Sequence, residues 1–273
     1  MAESRGRSAG WTAAMPPTEV ERQRLRSLAG TLDPTTIGHL RDIGVGEGWR
    51  CLEVGAGEGS IARWLSARAG TGQVVATDLD TRFLDFPAAG NVEVLRHDIT
   101  ADPCPGEPFD LIHARYVLMH IPARQQVLHR LATWLKPGGW LLVEDGFMLP
   151  ELAGVPLIAK FYEAVARQLA GQAGSDFRWA LTLPAPLRAL GLHRTGGAAH
   201  IPADAPAGAD RATMLSDAVV TRVRTLEQMR AGLIAAGLLT EQDASQLTST
   251  LADPDVVLYC AGSVSAWGQR PPG

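Results

Sequence analysis

The first half of the chain alternates between short apolar runs and segments of helical spacing. Arg50–Val54 (RCLEV) reads as a buried strand that runs into Gly55-Ala56-Gly57-Glu58-Gly59. Ser60–Arg68 then reads as a helix with Ile61, Trp64 and Leu65 on one face. Further apolar runs follow at Val74–Thr77, ending on Asp78, at Val92–Leu95, ending near His97-Asp98, and at Phe109–Ile112 after Pro108. A helix is predicted over Arg124–Leu135, stopped by Lys136-Pro137-Gly138-Gly139, before a strand at Trp140–Val143 that ends on Glu144-Asp145. Strands alternating with helices predict an α/β fold: a doubly wound, mainly parallel, Rossmann-like sheet with helices on both faces. Two helices are predicted ahead of it, a charged one over Glu19–Leu28 and another over Thr35–Ile43 starting near Asp33.

Beyond Gly146 the rhythm changes. Helices are predicted over Leu152–Gly171, Leu183–Leu190, Thr213–Gly237 and Glu241–Leu251, the last capped by Thr240 with Asp243 three residues on. Leu192–Ile201 reads as a strand, PADAPAGAD as a loop, Asp255–Cys260 as a last strand, and the end, WGQRPPG, as a tail. The expected organisation is a mobile N-terminus with a cap helix over 1–30 and one catalytic domain over 31–267. Residues 147–190 insert after the fifth strand as a substrate lid, and 268–273 form a tail.

Composition narrows the class. Of 273 residues, 46% are hydrophobic and 20% charged, which excludes a disordered chain. The net charge of −4 argues against a nucleic-acid surface, which needs a concentrated positive field. Cys51, Cys104 and Cys260 lie far apart and form no metal spacing, so the expectations are no metal and a reducing, cytoplasmic setting. No apolar stretch is long enough for a membrane span, so no membrane partner is expected.

The candidate chemistry centres on LEVGAGEGS. Glycines after a strand let a ligand touch the main chain, and the following helix offers free N–H groups and a positive dipole end. A dinucleotide site wants GxGxxG, whereas here position 60 is Ser and Glu53 precedes the first glycine by two residues. An acidic group there repels a diphosphate and suits an amino group. Asp78 follows Gly55 by 23 residues at a strand end, where a carboxylate can accept bonds from ribose hydroxyls. Asp98, with Ile99 beside it, follows the third strand and can serve an adenine amino group.

LEVGAGEGS, VVATDLD, RHDIT, PFDLIHARYVLMHIP and LKPGGWLLVED, in that order over residues 50–145, resemble the motif series of the seven-stranded (class I) S-adenosylmethionine-dependent methyltransferases. The end of the chain, DVVLYCAGSVSAWGQRP, resembles an actinomycete small-molecule subgroup of that family. The resemblance implies a seven-stranded sheet and S-adenosylmethionine as cofactor. It implies that Glu53, Gly55, Ala56 and Gly57 surround the methionine moiety, that Asp78 and Leu79 meet the ribose, and that Asp98 and Ile99 meet the adenine. It also places His113 and Ala114 at the methionine end.

The sulfonium is an activated donor, so alignment of an acceptor supplies most of what the reaction needs, and a base serves only if the acceptor holds a proton. Candidate bases are His113, Tyr116, His120 and the pair Glu144-Asp145; His129, His193 and His200 read as surface or strand residues. Phe147, Met148, Phe161, Tyr162, Phe177 and Trp179 are candidates to wall an apolar acceptor. The expected function is methyl transfer to a small, partly apolar molecule, in secondary metabolism. A homodimer is compatible with this. The rival readings are a cofactor-binding enzyme that guides cyclisation or another non-methyl reaction, a non-catalytic binding protein, an NAD enzyme, which Ser60 disfavours, and a catechol-type metal-dependent transferase.

Overall fold

The computed structural model describes residues 19–201, 211–253 and 260–273; the side chains of Val20, residues 211–222 and Ala252 lie outside the description. The elements are α1 (Glu19–Ile43), β1 (Arg50–Val54), α2 (Ser60–Ala69), β2 (Gln73–Asp78), β3 (Val92–Arg96), β4 (Phe109–Arg115) and α3 (Arg124–Thr133). They continue with β5 (Leu135–Met148), α4 (Pro156–Ala173), α5 (Ala185–Ala189), β6 (His193–His200), α6 (Arg211–Ala235), α7 (Glu241–Ala252) and β7 (Ala261–Gln269). The predicted mobile N-terminus, the PADAPAGAD loop and most of the strand placed at Asp255–Cys260 lie outside the described residues.

One seven-stranded sheet has the order β3-β2-β1-β4-β5-β7-β6. β1 through β5 pair in parallel, and β7 runs antiparallel to both β5 and β6. The chain winds outward from β1 to β3 and then crosses back to β4, so β1 and β4 flank the point where the winding direction changes. Open α/β sheets bind ligands at that point, outside the carboxyl ends of the strands.

Alternation along the strands sorts side chains to two cores. Leu52, Ile112, Leu141 and Val143 face a large cluster with α3, α4, α6 and α7. Cys51, Leu111 and Leu142 face a smaller cluster with Leu40 of α1 and Ile61 and Leu65 of α2. The same parity puts Glu53, His113, Arg115 and Glu144 on the α1–α2 face, and Asp145 on the other.

Three departures from the sequence reading have physical causes. Residues 19–43 form one helix through Pro34, not two, and that helix runs through the boundary placed at residue 30. An interior proline costs a helix about 3 kcal/mol. Burial of Ala29, Leu32, Thr36 and Leu40 along one stripe offsets it. Second, α3 ends at Thr133, short of the predicted Leu135, and Lys136-Pro137-Gly138-Gly139 lies inside β5, whose first residue, Leu135, already pairs with Phe109. Third, AGSVSAWGQ is strand β7, reaching into the predicted tail past residue 267 and pairing with β5 from Trp140 to Met148. The expected Thr240–Asp243 capping box is present, with Asp243 N donating to Thr240 Oγ1 at 3.0 Å.

Candidate active site

The loop after β1 turns on Gly55, Gly57 and Gly59, all at positive φ. At Gly55 the lack of a side chain is required twice over. Its φ is +67°, and a β-carbon there would stand 2.4 Å from Val117 Cγ2. Asp78, at the end of β2, holds the loop: its Oδ2 accepts from Gly57 N at 2.9 Å and its Oδ1 from Asp80 N at 3.0 Å. Burial pushes the Asp78 carboxyl up from its ordinary value, against the pull of these N–H donors.

This loop floors one end of a cavity of about 770 Å³, within the range of small-molecule sites. Gly55, Ala56, Gly57, Asp78, Leu79, Asp98 and Ile99 all line it, as the sequence reading expected of cofactor contacts. Asp98 also closes its own turn, its Oδ1 accepting from Thr100 N at 2.9 Å. The other end is apolar, walled by Phe147, Met148, Phe161, Tyr162, Phe177 and Met229. The N-terminal half of α1 roofs the cavity with Leu25, Leu28 and Leu32. Trp179, expected in this wall, instead turns its indole N–H to Asp145 Oδ2 at 3.0 Å.

Glu53, His113, Ala114 and Glu144 do not line the cavity. His113 lies between two carboxylates, with Nδ1 2.7 Å from Glu53 Oε2 and Nε2 3.0 Å from Glu144 Oε2. Both partners are acceptors, so both ring nitrogens carry protons and the ring is an imidazolium. Burial works against that charge, but the two carboxylates overcome it and raise His113 to about 9. Glu144 is filled further by Thr36 Oγ1 at 2.6 Å and by Ser265 Oγ. Despite the cost of burial, these donors and His113 hold Glu144 well below the ordinary carboxylate range. The expectation of a Glu53 carboxylate open to an amino group, and of His113 or Glu144 as a base, is therefore corrected. Strand parity sends all three under α1, where they satisfy one another.

Asp145 is also off the cavity. Its oxygens accept from Val117 N and Met119 N, both at 3.1 Å, and from the Trp179 indole. Burial raises its carboxyl to about 7, against those donors. It holds the 117–119 turn and is not placed to act as a base.

His120 does line the cavity. Its Nδ1 is hydrogen-bonded to Ser175 Oγ at 2.9 Å, and its ring meets Phe177 edge-on. Burial, with the Arg24 and Arg124 charges, lowers it to about 4, so the ring is neutral. Tyr116 lines the cavity too, and burial pushes its phenol above its ordinary value, so the hydroxyl keeps its proton. Its φ of +58° is rare for a bulky residue.

The sequence reading missed Arg115. Its Nη1 donates to Thr36 Oγ1 at 2.9 Å and its Nη2 to Asp33 Oδ1 at 2.8 Å, and Asp33 Oδ1 also accepts from Ser60 Oγ at 3.1 Å. Arg115 and Ser60 line the cavity. Parity with Leu111 and His113 was the available signal for the direction of Arg115.

Residues 52–143 match the family model described as a methyltransferase domain. Over 136 residues the chain is 31% identical to methyltransferase str3 of Strobilurus tenacellus, covering 48% of each chain. It is 34% identical over 129 residues to the ubiquinone/menaquinone biosynthesis C-methyltransferase UbiE of Ectopseudomonas mendocina, covering 44% of this chain and 49% of that protein. The chain thus spans about half the length of the curated relatives it matches. Phosphoethanolamine N-methyltransferase 2 of Haemonchus contortus, solved with S-adenosyl-L-methionine, shares the fold at TM-score 0.55 and 17% identity, over 88% of this chain and 53% of that one. The fold is the one shared with that solved methyltransferase, and residues 52–143 within it are similar to a methyltransferase domain.

Proposed function

We propose that the protein transfers a methyl group from S-adenosylmethionine to a small, apolar molecule, in secondary metabolism. The observation that carries this is the cavity itself, which runs unbroken from the glycine loop and Asp78 into the apolar lobe behind Tyr116. The C-methyltransferase named for quinone biosynthesis among the relatives also supports an apolar acceptor.

The residues present fit the cofactor. The side-chain-free corner at Gly55 and Gly57 lets a ligand lie on the backbone. The Asp78 carboxylate accepts from the backbone N–H groups of Gly57 and Asp80 and has lone-pair capacity left for a ribose hydroxyl. When bound, S-adenosylmethionine supplies an activated methyl group on a cationic sulfur. The protein's part is to hold the acceptor in line and exclude water, which α1, α4 and α6 do by closing over the lobe. Of the five candidate bases, Tyr116 and His120 line the cavity, and the neutral His120 ring orients or deprotonates an acceptor hydroxyl. Membrane spanning is no part of this reading, as no described helix is long and apolar enough to cross a bilayer.

The test is calorimetric titration with S-adenosylhomocysteine, followed by incubation of methyl-labelled cofactor with a panel of phenols, quinones and terpenoids. Binding plus label in an extracted product is expected. Binding with an altered but unlabelled product would point to the cyclisation reading. Binding without product across the panel would point to a non-catalytic role.

A further inference from the structure

The first turns of α1 set successive residues against different neighbours. Arg22 lies over the Phe83 ring, 5.4 Å from its centroid. Gln23 Oε1 accepts from Arg224 Nη1 of α6 at 2.7 Å. Leu25 reaches the glycine loop, its Cδ2 3.7 Å from where a β-carbon on Gly57 would stand. Arg24, between Gln23 and Leu25, lines the cavity with Thr225, Gln228 and Met229 of α6. Its charge acts on His120, which lines the same cavity. Both surroundings belong to the apolar lobe, since His120 meets Phe177 edge-on and Met229 is part of the lobe wall.

Arg24 is a cation with donors to spare. Its Nε and Nη2 donate to the two oxygens of Glu21 at 2.8 and 2.7 Å, and its side chain is 15% exposed. That pairing fills one edge of the guanidinium and leaves the end-on fork of Nη1 and Nη2; among the described residues Nη1 donates to no partner. Arg124, the other cation that acts on His120, lies off the cavity and is spent on Leu118 O, Gly174 O and Asp176. The carboxylates that line the cavity are Glu58, Asp78, Asp80 and Asp98, on the glycine loop and after β2 and β3, and Glu21. The first four stand at the cofactor end, and Glu21 is neutralised by Arg24 through both oxygens. The lobe therefore meets open donors on a cation and no carboxylate without a cationic partner.

We propose that Arg24 sets the class of acceptor: its open fork receives an anionic oxygen of an apolar molecule beside His120, so that phenols, enols or carboxylic acids are taken as their anions, ahead of amines and aliphatic alcohols. The proposal rests on the apolar-acceptor reading above and narrows it. A planar fork suits a carboxylate or phenolate oxygen, and the partly buried site strengthens the pairing. The charge that disfavours a cation on the His120 ring favours an anion beside it. One opposite charge moves an ionisation by about 1–3 pH units. That brings a phenol, ordinarily near 10, towards neutrality, and leaves an aliphatic alcohol protonated. An amine arriving as its ammonium meets a like charge. An acceptor held as its anion brings no proton to remove, which leaves the neutral His120 ring to orient it.

The experiment titrates the full chain, saturated with S-adenosylhomocysteine, with three probes of one shape: naphthoate, naphthalenemethanol and naphthylmethylamine. The wild type should bind naphthoate about tenfold or more tightly than the other two, the weight of one charge-assisted pair. Arg24→Ala should bring the three to within about twofold of one another, with the alcohol bound as before. Glu21→Gln, which releases the other edge of the guanidinium, should strengthen naphthoate binding several-fold. Should Arg24→Ala fail to fold on thermal melting, Arg24→Lys keeps the charge without the fork and should still reduce the preference several-fold. A fourth probe, para-nitrophenol, separates the two sources of anion in a buffer acidic enough to keep it protonated when free. The coloured anion appearing on binding to the wild type, and not to Arg24→Ala, assigns phenols; a naphthoate preference without colour assigns carboxylic acids. Equal binding of the three naphthalene probes by the wild type, or an undiminished preference in a folded Arg24→Ala or Arg24→Lys protein, overturns the proposal. A wild type that binds S-adenosylhomocysteine and none of the probes overturns the apolar-acceptor reading and the proposal with it.

Discussion

The ring of Tyr116 lies across the backbone of Gly146, where an added β-carbon would stand 2.9 Å from Cε1 and 3.1 Å from Cζ. Tyr116 follows β4 and Gly146 belongs to β5, so this contact closes the corner between the cofactor end and the apolar lobe. Val117 makes the matching contact on the other side, against Gly55. Gly146→Ala should therefore displace the phenol and cost about 1–3 kcal/mol of stability, the usual range for overpacking. Its affinity for S-adenosylhomocysteine should stay near wild type. Gly55→Ala should lose both stability and cofactor affinity, because strain and clash fall on the loop itself. Thermal unfolding and calorimetry on the two variants would read the contrast, and equal loss of cofactor affinity in both would refute it.

Asp78→Ala should weaken cofactor binding by about 1.5–3 kcal/mol, roughly ten- to a hundred-fold, the scale for bonds to a charged acceptor. The variant also releases Gly57 N and Asp80 N. Asp78→Asn retains one acceptor oxygen and should fall between wild type and Ala. Unchanged affinity in a folded Asp78→Ala protein would remove this residue from the site.

The part of the cavity lining carried by local chemistry was legible in the sequence. Gly55, Gly57, Asp78, Asp98 and Ile99 sit at strand ends, and a strand end in a parallel sheet has one edge to face. What was not legible depends on partners distant in the chain. Glu144 looks like a strand-end acid until Thr36, 108 residues away, is placed beside it. Strand β7 was missed because AGSVSAWGQ has no apolar run. Its indole at Trp267 packs where a β-carbon on Gly196 would stand 2.5 Å away, so the strand is specified by complementarity with glycine-rich β6.

The buried Glu53–His113–Glu144 group predicts a stability plateau bounded on both sides. His113 is raised from 6.5 to about 9 in the folded chain. Its contribution is fully present below pH 6.5 and is lost as pH climbs through about 9. Glu144 is lowered in the folded chain, so its contribution is present above the ordinary carboxylate value near 4.5 and lost on strong acidification. Urea unfolding between pH 5 and 10 should show falling stability above about pH 7. His113→Ala leaves two buried carboxylates without their cation and should cost about 3–5 kcal/mol. A flat profile between pH 7 and 10 would show that the imidazolium is not held.

Asp145→Asn should behave as a structural lesion. The amide presents N–H groups to donors that now meet carboxylate oxygens, at Val117, Met119 and the Trp179 indole. A loss of about 1–3 kcal/mol is expected from the unsatisfied donors. Turnover per folded molecule should change far less than stability. A fully stable variant with no turnover would return Asp145 to the list of bases.

His120 separates alignment from proton removal. Burial and the Arg24 and Arg124 charges lower it to about 4, so between pH 6 and 9 its charge does not change. A rate that depended on its titration would fall only near pH 4, and any fall between pH 6 and 8 must come from another group. His120→Ala removes a ring that lines the cavity and leaves Ser175 Oγ without this partner. If the acceptor is a hydroxyl, turnover should drop by about 10²-fold with cofactor affinity unchanged, the usual loss for a missing proton acceptor. If it is an electron-rich carbon, the drop should be smaller and shared with Phe161→Ala and Phe177→Ala, since alignment then carries the rate. His120→Gln keeps a hydrogen-bonding side chain without a proton acceptor of imidazole strength. Recovery by Gln would assign the residue to orientation, and continued inactivity at saturating acceptor would assign it to proton transfer.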